Sequence, residues 1–358
     1  MMNDNIADLI RPEIQQLSSY HVADASGLIK LDAMENPYDW DADFTQAWLE
    51  SLQNAHLNRY PDPTGQKLKQ QLYDTMQIPQ DLEVILGNGS DELIQMLAMA
   101  VNKPDAVILA PEPSFVMYKH IAKMLGMRYV GVPLVEGQFN LDMFAMLEAI
   151  DTYRPALTFI AYPNNPTGNV FAQADIEDII DCSSGLVVVD EAYSPFTDHS
   201  FLHCIEKYPN LLVMRTVSKL GLAGLRLGYL VGSKPWLEQI DKIRLPYNIN
   251  TLSQLSASFA LEHYEVFQQQ TQQIRQDRAD LVQKLSAMPK LKVWEQTEAN
   301  FILFRVDNAV EVHASLKQQG VLIKCLHGAH PALEQCLRVT VGTESENQAF
   351  LDALQQAI

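Results

Sequence analysis

The sequence predicts an α/β protein, with a largely parallel sheet covered by helices and a smaller α/β unit toward the C-terminus. Two observations carry this. From Leu82 onward short apolar runs alternate with segments of helical periodicity, the order expected of strands joined by covering helices. After Pro246 the pattern changes to a long polar-rich helical stretch, followed by a second, shorter series of strand-like and helix-like segments.

The elements follow in order. VIL at 84–86, AVILA at 106–110, LTFIAY at 157–162, GLVVVD at 185–190, LLVMRT at 211–216 and LGYLVG at 227–232 read as strands. Between them, SDELIQMLAMAV and LDMFAMLEAI repeat apolar residues at helical spacing behind a Ser or Asp able to cap the first turn. One long helix is expected from Ser253 to about Leu285, its Gln-rich middle forming a solvated face and its length bridging the two parts of the chain. Beyond it NFILFRV, VLIKC and LRVTV read as strands, VEVHASLKQQG as a helix, and a last helix is expected from Glu344.

At 358 residues and 47% hydrophobic, the chain can bury a full core. Its 44 acidic and 26 basic residues give a formal charge of -18, which repels nucleic acid and anionic membranes. An anionic substrate must therefore be held by a few placed cations. Cys182, Cys204, Cys325 and Cys336 form no C-x-x-C pair, so reduced thiols and a cytoplasmic location are expected. The start, MMNDNIADLI, lacks the order of a signal peptide, and the longest uncharged run, Leu245 to Leu261, is too polar to span a membrane.

In an open parallel sheet, ligand-binding residues gather beyond the carboxyl ends of the strands. VILGNGSDEL places Gly89, Ser90 and Asp91 between a strand and a helix, where backbone amides can cradle a phosphate, or simply form a capped turn. IAYPNNPTG ends a strand near Asn165, which can donate to a ligand oxygen or shape an Asx/Pro turn. VVVDEAYSPF ends a buried strand on Asp190, with Tyr193 close behind. VSKLGLAGLRLGY sets Lys219 and Arg226 among apolar neighbours, where each cation must meet something anionic or reactive. Together these pieces match the needs of pyridoxal 5'-phosphate. Lys219 would bind the aldehyde, Asp190 the pyridine nitrogen, Asn165 with Tyr193 the phenolate oxygen, and the Gly89–Asp91 turn with Ser218 and Arg226 the phosphate. Desolvation and Arg226 are expected to lower the Lys219 pKa and so free its amine.

YPNNPTG, VVVDEAY, TVSK and AGLRLGY, in this order and spacing, closely resemble the fold type I pyridoxal-phosphate enzymes, and among them the aminotransferases. The resemblance implies a large domain over 41–260 with a mostly parallel seven-stranded sheet and a smaller α/β domain over 261–358. It also implies an N-terminal arm over 1–40 that joins the small domain and the dimer contact, and it places Phe115 against the pyridine ring.

Within that family the chain looks most like the members that transaminate histidinol phosphate with 2-oxoglutarate or glutamate in histidine biosynthesis. LSSY ending in Tyr20, KLDAMENPY, NRYPDPTG, LGNGSDEL and CLRVTVGTESEN carry this likeness. It implies a homodimer in which Tyr60 reaches the cofactor phosphate of the other subunit, and a substrate site made by Tyr20, Asn165, Lys324 and Arg338, with Arg338 on the substrate anion. The segment GVLIK departs from the family, placing Lys324 where many members carry arginine. A lysine keeps the charge but loses the bidentate fork. That leaves open an aromatic amino-acid aminotransferase and, further off, a decarboxylase of amino-acid phosphates using the same lysine and aspartate. His327 and His330 lack a Cys or carboxylate partner in the sequence, so no metal is assigned.

Overall fold

In the computed structural model, which describes residues 8–19 and 22–358, strand β1 (Ile29–Lys30) precedes the central sheet. That sheet is built from β2 (Glu83–Gly87), β3 (Val107–Glu112), β4 (Arg128–Pro133), β5 (Leu157–Ala161), β6 (Leu186–Asp190), β7 (Leu211–Thr216) and β8 (Gly228–Gly232). Its order is β2-β8-β7-β6-β5-β3-β4. Pairing is parallel from β4 through to β7, while β8 runs antiparallel to both of its neighbours. In this register Ala161 and Asp190, the last residues of β5 and β6, lie beside Met214, two residues short of the end of β7. The loops carrying Asn165, Tyr193 and Lys219 therefore leave the sheet at one edge.

Six of these strands coincide with the apolar runs. The seventh, β4, does not show as such a run because it lies at the sheet edge, where Val132 alone of RYVGVP is buried. Two apolar clusters sandwich the sheet, one holding Leu109, Ile160, Val189 and Val213, the other Ile108, Phe159, Val188 and Leu212. Alternate residues of each strand thus face opposite layers of helices.

Two expectations about helices need correction. The helix Ser90–Val101 is not capped by Ser or Asp: its N-cap is Gly89, at φ 80 and ψ 168, with no side-chain cap. By contrast Asp142 does cap Met143–Tyr153, accepting from the Ala145 amide at 3.0 Å. The single long bridging helix is two, Thr251–Glu262 and Tyr264–Ser286. Between them His263 leaves helical geometry at φ -121 and ψ 38, its Nδ1 lies 2.9 Å from the Phe259 carbonyl, and its ring packs on Phe44 and Phe259. The break marks a change in burial: residues 256–261 are buried all round, whereas Tyr264–Ser286 buries only a stripe including Phe267, Thr271 and Ile274.

The remaining strands are β9 (Lys292–Val293), β10 (Phe301–Arg305), β11 (Val321–Leu322), β12 (Lys324–Cys325) and β13 (Cys336–Thr340). An antiparallel sheet runs β12-β13-β10-β9. VLIKC is split: β11 pairs in parallel with β1, and β12 pairs with β13. Ile323, between them, is buried. The last helix, Glu344–Ala357, begins in a capping box made by Thr343 and Glu346. Among the described residues no helix is long and apolar enough to cross a membrane.

Candidate active site

Lys219 lies in the short helical turn Ser218–Leu222 that follows β7. Gly221 breaks that turn at φ 128, and a Cβ there would lie 2.9 Å from Asn36 Nδ2, so glycine is what lets the turn approach the N-terminal segment. Asn36 in turn donates to the Leu220 carbonyl at 2.9 Å. The Lys219 Nζ donates to the Ala33 carbonyl at 3.1 Å. Desolvation, then Arg338 and Arg226, lower its pKa to about 8, with Glu35 acting the other way. Burial and Arg226 are the causes the sequence suggests; Arg338, 119 positions along the chain, is an addition from the fold.

Asp190 ends β6 and is buried. Tyr118 donates to its Oδ2 at 2.7 Å and the Ala192 amide to its Oδ1 at 3.1 Å. Burial nevertheless pushes its pKa up to about 6. A buried carboxylate so poised is complementary to a protonated ring nitrogen, which would hold it ionised.

Tyr193 is buried and its hydroxyl accepts from Asn165 Nδ2 at 3.1 Å. Burial raises its pKa further above the ordinary phenol value, against the pull of Arg338, so it remains a neutral donor. Asn165 Oδ1 accepts from Arg338 Nη1 at 2.6 Å, and Arg338 Nη2 donates to the Asp32 carbonyl at 3.0 Å. The Arg338 guanidinium also sits over Phe301, 5.0 Å from the ring centroid. One polar chain thus runs from Arg338 through Asn165 to Tyr193.

At the other end, Gly89, Ser90 and Asp91 open the helix Ser90–Val101, whose first amides have no partner within the helix. Arg226 Nη2 stands 3.6 Å from Asp91 Oδ2. A Cβ on Gly89 would lie 2.6 Å from the same Nη2, so the guanidinium rests directly over the glycine. Ser218, Arg226 and this helix start form a cationic, donor-rich corner suited to a phosphate.

A cavity of about 370 Å³ joins these parts: Ser90, Asp91, Phe115, Asn165, Asp190, Tyr193, Ser218, Lys219 and Arg226 all line it, with Gly89 behind Arg226. A smaller cavity, about 190 Å³, shares Met34, Phe115 and Asn165 with the first and holds Lys324 and Arg338. Lys324 lies directly opposite Arg338 in the β12–β13 ladder.

Of the other residues singled out in the sequence, Tyr60 and His327 lie outside both cavities, while His330 lines the smaller one. Tyr60 is 80% exposed and stacks on Tyr247 at 4.4 Å between centroids, outside both cavities. Tyr20 lies outside the described residues. His327, against the expectation that it has no carboxylate partner, holds its Nδ1 3.1 Å from the Gln335 amide and 3.0 Å from Glu334 Oε2, and His330 accepts from the Ala332 amide at the start of a short 3-10 turn.

Sequence reading missed several contributors. Tyr118 is one. Ala33, Met34 and Glu35 form a wall of the larger cavity, and the motif KLDAMENPY was the available signal for them. Glu191, beside Asp190, forms a buried ion pair with Arg215 at 2.7 Å and accepts from the Phe201 amide, anchoring the loop that carries Tyr193.

The family model for aminotransferases of class I and II matches residues 26–354. The chain belongs to the class I and II aminotransferases. It is a pyridoxal-phosphate-dependent aminotransferase of fold type I. Histidinol-phosphate aminotransferase 2 of Nitrosococcus oceani is 53% identical over 357 residues, 99% of each chain. Histidinol-phosphate aminotransferase of Chromobacterium violaceum is 47% identical over 355 residues, again 99% of each. Among solved structures, histidinol-phosphate aminotransferase from Sinorhizobium meliloti, in complex with pyridoxal-5'-phosphate, superposes with a TM-score of 0.86 at 21% identity, covering 98% of this chain and 97% of that one. That likeness is one of fold. The groups around the larger cavity of this aminotransferase fit the cofactor: a buried acid, an amine of lowered pKa, two donors side by side and a cationic corner suited to a phosphate.

Proposed function

We propose that this aminotransferase acts on histidinol phosphate, passing its amino group to 2-oxoglutarate in histidine biosynthesis, as a cytoplasmic homodimer. The observation that carries the substrate assignment is the pairing of Lys324 with Arg338 across β12 and β13, on the wall of a cavity that opens onto the cofactor cavity. Two cations facing one another in an acidic protein are suited to a phosphate dianion. The names of the similar Nitrosococcus oceani and Chromobacterium violaceum proteins support the same reading.

The residues divide the work as follows. Pyridoxal phosphate, when bound, supplies the electron sink that makes the bond to hydrogen at the substrate's amino-bearing carbon weak. Lys219 Nζ is the base that takes that proton, its burial bringing the pKa down to about 8 so that the free amine is accessible near neutral pH. Asp190 would keep the ring nitrogen protonated, Asn165 and Tyr193 would donate to the phenolate oxygen, and Ser90, Ser218 and Arg226 would hold the cofactor phosphate. Arg338 and Lys324 bind the substrate phosphate, and Arg338 holds a carboxylate of glutamate when the partner substrate occupies the site. Tyr60 belongs to the partner subunit's phosphate site, which accounts for its exposure in one chain. The proposed domains are 41–260 for the cofactor and 261–358 for closure over the substrate, with 1–40 as the arm. Ile29–Lys30 on β11 supports the arm's place beside the small domain.

A steady-state comparison of histidinol phosphate with phenylalanine, using 2-oxoglutarate as acceptor, tests the substrate. Arg338→Ala should lower kcat/KM for histidinol phosphate by roughly ten- to a hundredfold or more, the worth of a hydrogen bond to a charged group, and Lys324→Arg should be neutral or improve it. Leu326, Leu333 and Tyr129 give the smaller cavity an apolar side, which favours some turnover of phenylalanine as well. Phenylalanine as the preferred substrate, with Lys324→Arg indifferent, would move the assignment to an aromatic amino-acid aminotransferase.

A further inference from the structure

We propose that Tyr118 is a positioning residue for Asp190, holding its carboxylate ready for the cofactor's ring nitrogen. This rests on the assignment of Asp190 to that nitrogen. Tyr118 is fully buried and its hydroxyl donates to Asp190 Oδ2 at 2.7 Å. Its ring is clamped: it stacks on Phe159, 4.5 Å between centroids at an interplanar angle of 4°, and meets the edge of Phe115 at 5.6 Å and 83°. Phe115 is the N-cap of the helix Val116–Met124, and Tyr118 follows it by three positions, so the two project from one side of the helix start. One helix start therefore fixes both the aromatic ring beside the cofactor cavity and the donor behind Asp190.

Two hydrogen bonds oppose the neutralising effect of burial on Asp190, one from Tyr118 and one from the Ala192 amide. The amide donates to Oδ1 and the phenol to Oδ2, so each oxygen has one donor and keeps lone pairs for the cavity. Two other groups near the carboxylate work against its charge, the anionic Asp91 and Glu191, while the Tyr193 phenol beside it is held neutral by burial. Lys219 lies on the same cavity wall but is itself largely stripped of water. Without the Tyr118 hydroxyl the aspartate would take up a proton at higher pH. As a neutral acid it would have to lose that proton before it could hold a protonated ring nitrogen. Tyr118 lines neither cavity and acts only through Asp190.

The test uses the full-length protein freed of cofactor. Infrared absorbance of the protonated carboxyl group is titrated between pH 4 and 9 in protein with and without the Tyr118 hydroxyl, and the Asp190→Asn spectrum is subtracted to isolate Asp190. Tyr118→Phe should raise the Asp190 midpoint by about one to two pH units, the expected effect of losing one hydrogen bond to a charged group. Phe159→Leu loosens the same packing but spares the hydroxyl and should leave the midpoint in place. Replacing Tyr118 with 3-fluorotyrosine, a more acidic phenol and a stronger donor, should lower the midpoint while keeping the fold, and stands in if Tyr118→Phe does not accumulate as folded protein. An unmoved midpoint in Tyr118→Phe or the fluorinated protein overturns the proposal, as does an equal shift in Phe159→Leu. Cofactor affinity indifferent to Asp190→Asn would instead remove the ring-nitrogen assignment, while the titration results would still stand.

Discussion

An ordinary lysine, with a pKa of about 10.4, is almost wholly protonated at neutral pH. Lys219 at about 8 has roughly a tenth of its amine free at pH 7. Because its pKa is lowered, the reactive form grows as pH rises through 8 and disappears below it. Covalent uptake of pyridoxal phosphate by cofactor-free protein, followed by absorbance, should therefore speed up with a midpoint near pH 8. Arg338→Leu removes one of the charges that lower the value, so its midpoint should lie higher. Lys219→Ala should abolish turnover and leave no cofactor attached after borohydride treatment; a retained linkage would shift the role to another lysine. Lys219 and Asp190 could be read from the sequence because each sits inside a short motif whose apolar neighbours make a charge conspicuous. Tyr118 could not: its partner lies 72 positions away, and an aromatic residue on an apolar helix face carries no mark of what it touches.

At the level of elements, close approach decides more than composition does. Gly89 adopts φ 80, and any side chain there meets the Arg226 guanidinium. Gly89→Ala should displace that group and weaken pyridoxal-phosphate affinity at least about tenfold, measured by titrating cofactor-free protein, since a charged contact to phosphate is lost. Thr343→Ala removes a capping box remote from either cavity. It should cost about 1 kcal/mol in denaturant unfolding while leaving cofactor affinity unchanged. The strands buried on both faces were legible as apolar runs, but the edge strand β4 was not, because most of its residues never leave solvent fully. Apolar periodicity likewise passes straight through His263, whose break depends on packing against Phe44 rather than on a Gly or Pro in the sequence. In VLIKC nothing local signals that two sheets share the run. The division is made by β1 and β13, which are distant in sequence and compete for its edges.

For the whole molecule, the proposed sharing of sites between subunits makes a prediction that no single chain can satisfy. Lys219→Ala and Tyr60→Phe proteins, each impaired, should regain activity when mixed and allowed to exchange subunits, because one site in each heterodimer then carries neither defect. A monomer by sedimentation at working concentration, or no recovery after proven exchange, would count against Tyr60 acting across an interface. Sequence reading could place Tyr60 only by family likeness, since within one chain it stacks on Tyr247 and faces solvent. The connection of β1 to β11 and β13 also bears on the order in which the protein is made. Residues 31–34 are tied down from the far end of the chain: the Thr340 amide donates to the Leu31 carbonyl at 2.9 Å, the Met34 amide to Thr340 Oγ1 at 3.0 Å, and Asn300 to the Met34 carbonyl at 3.1 Å. A growing chain that has passed Arg226 already holds Lys219, Asp190 and the Gly89–Arg226 corner, yet the wall at Ala33–Glu35 lacks its ties to Asn300 and Thr340 until β10 and β13 are made. Enclosure of the cavity thus depends on pairings of high sequence separation, which places the completion of that wall late in folding.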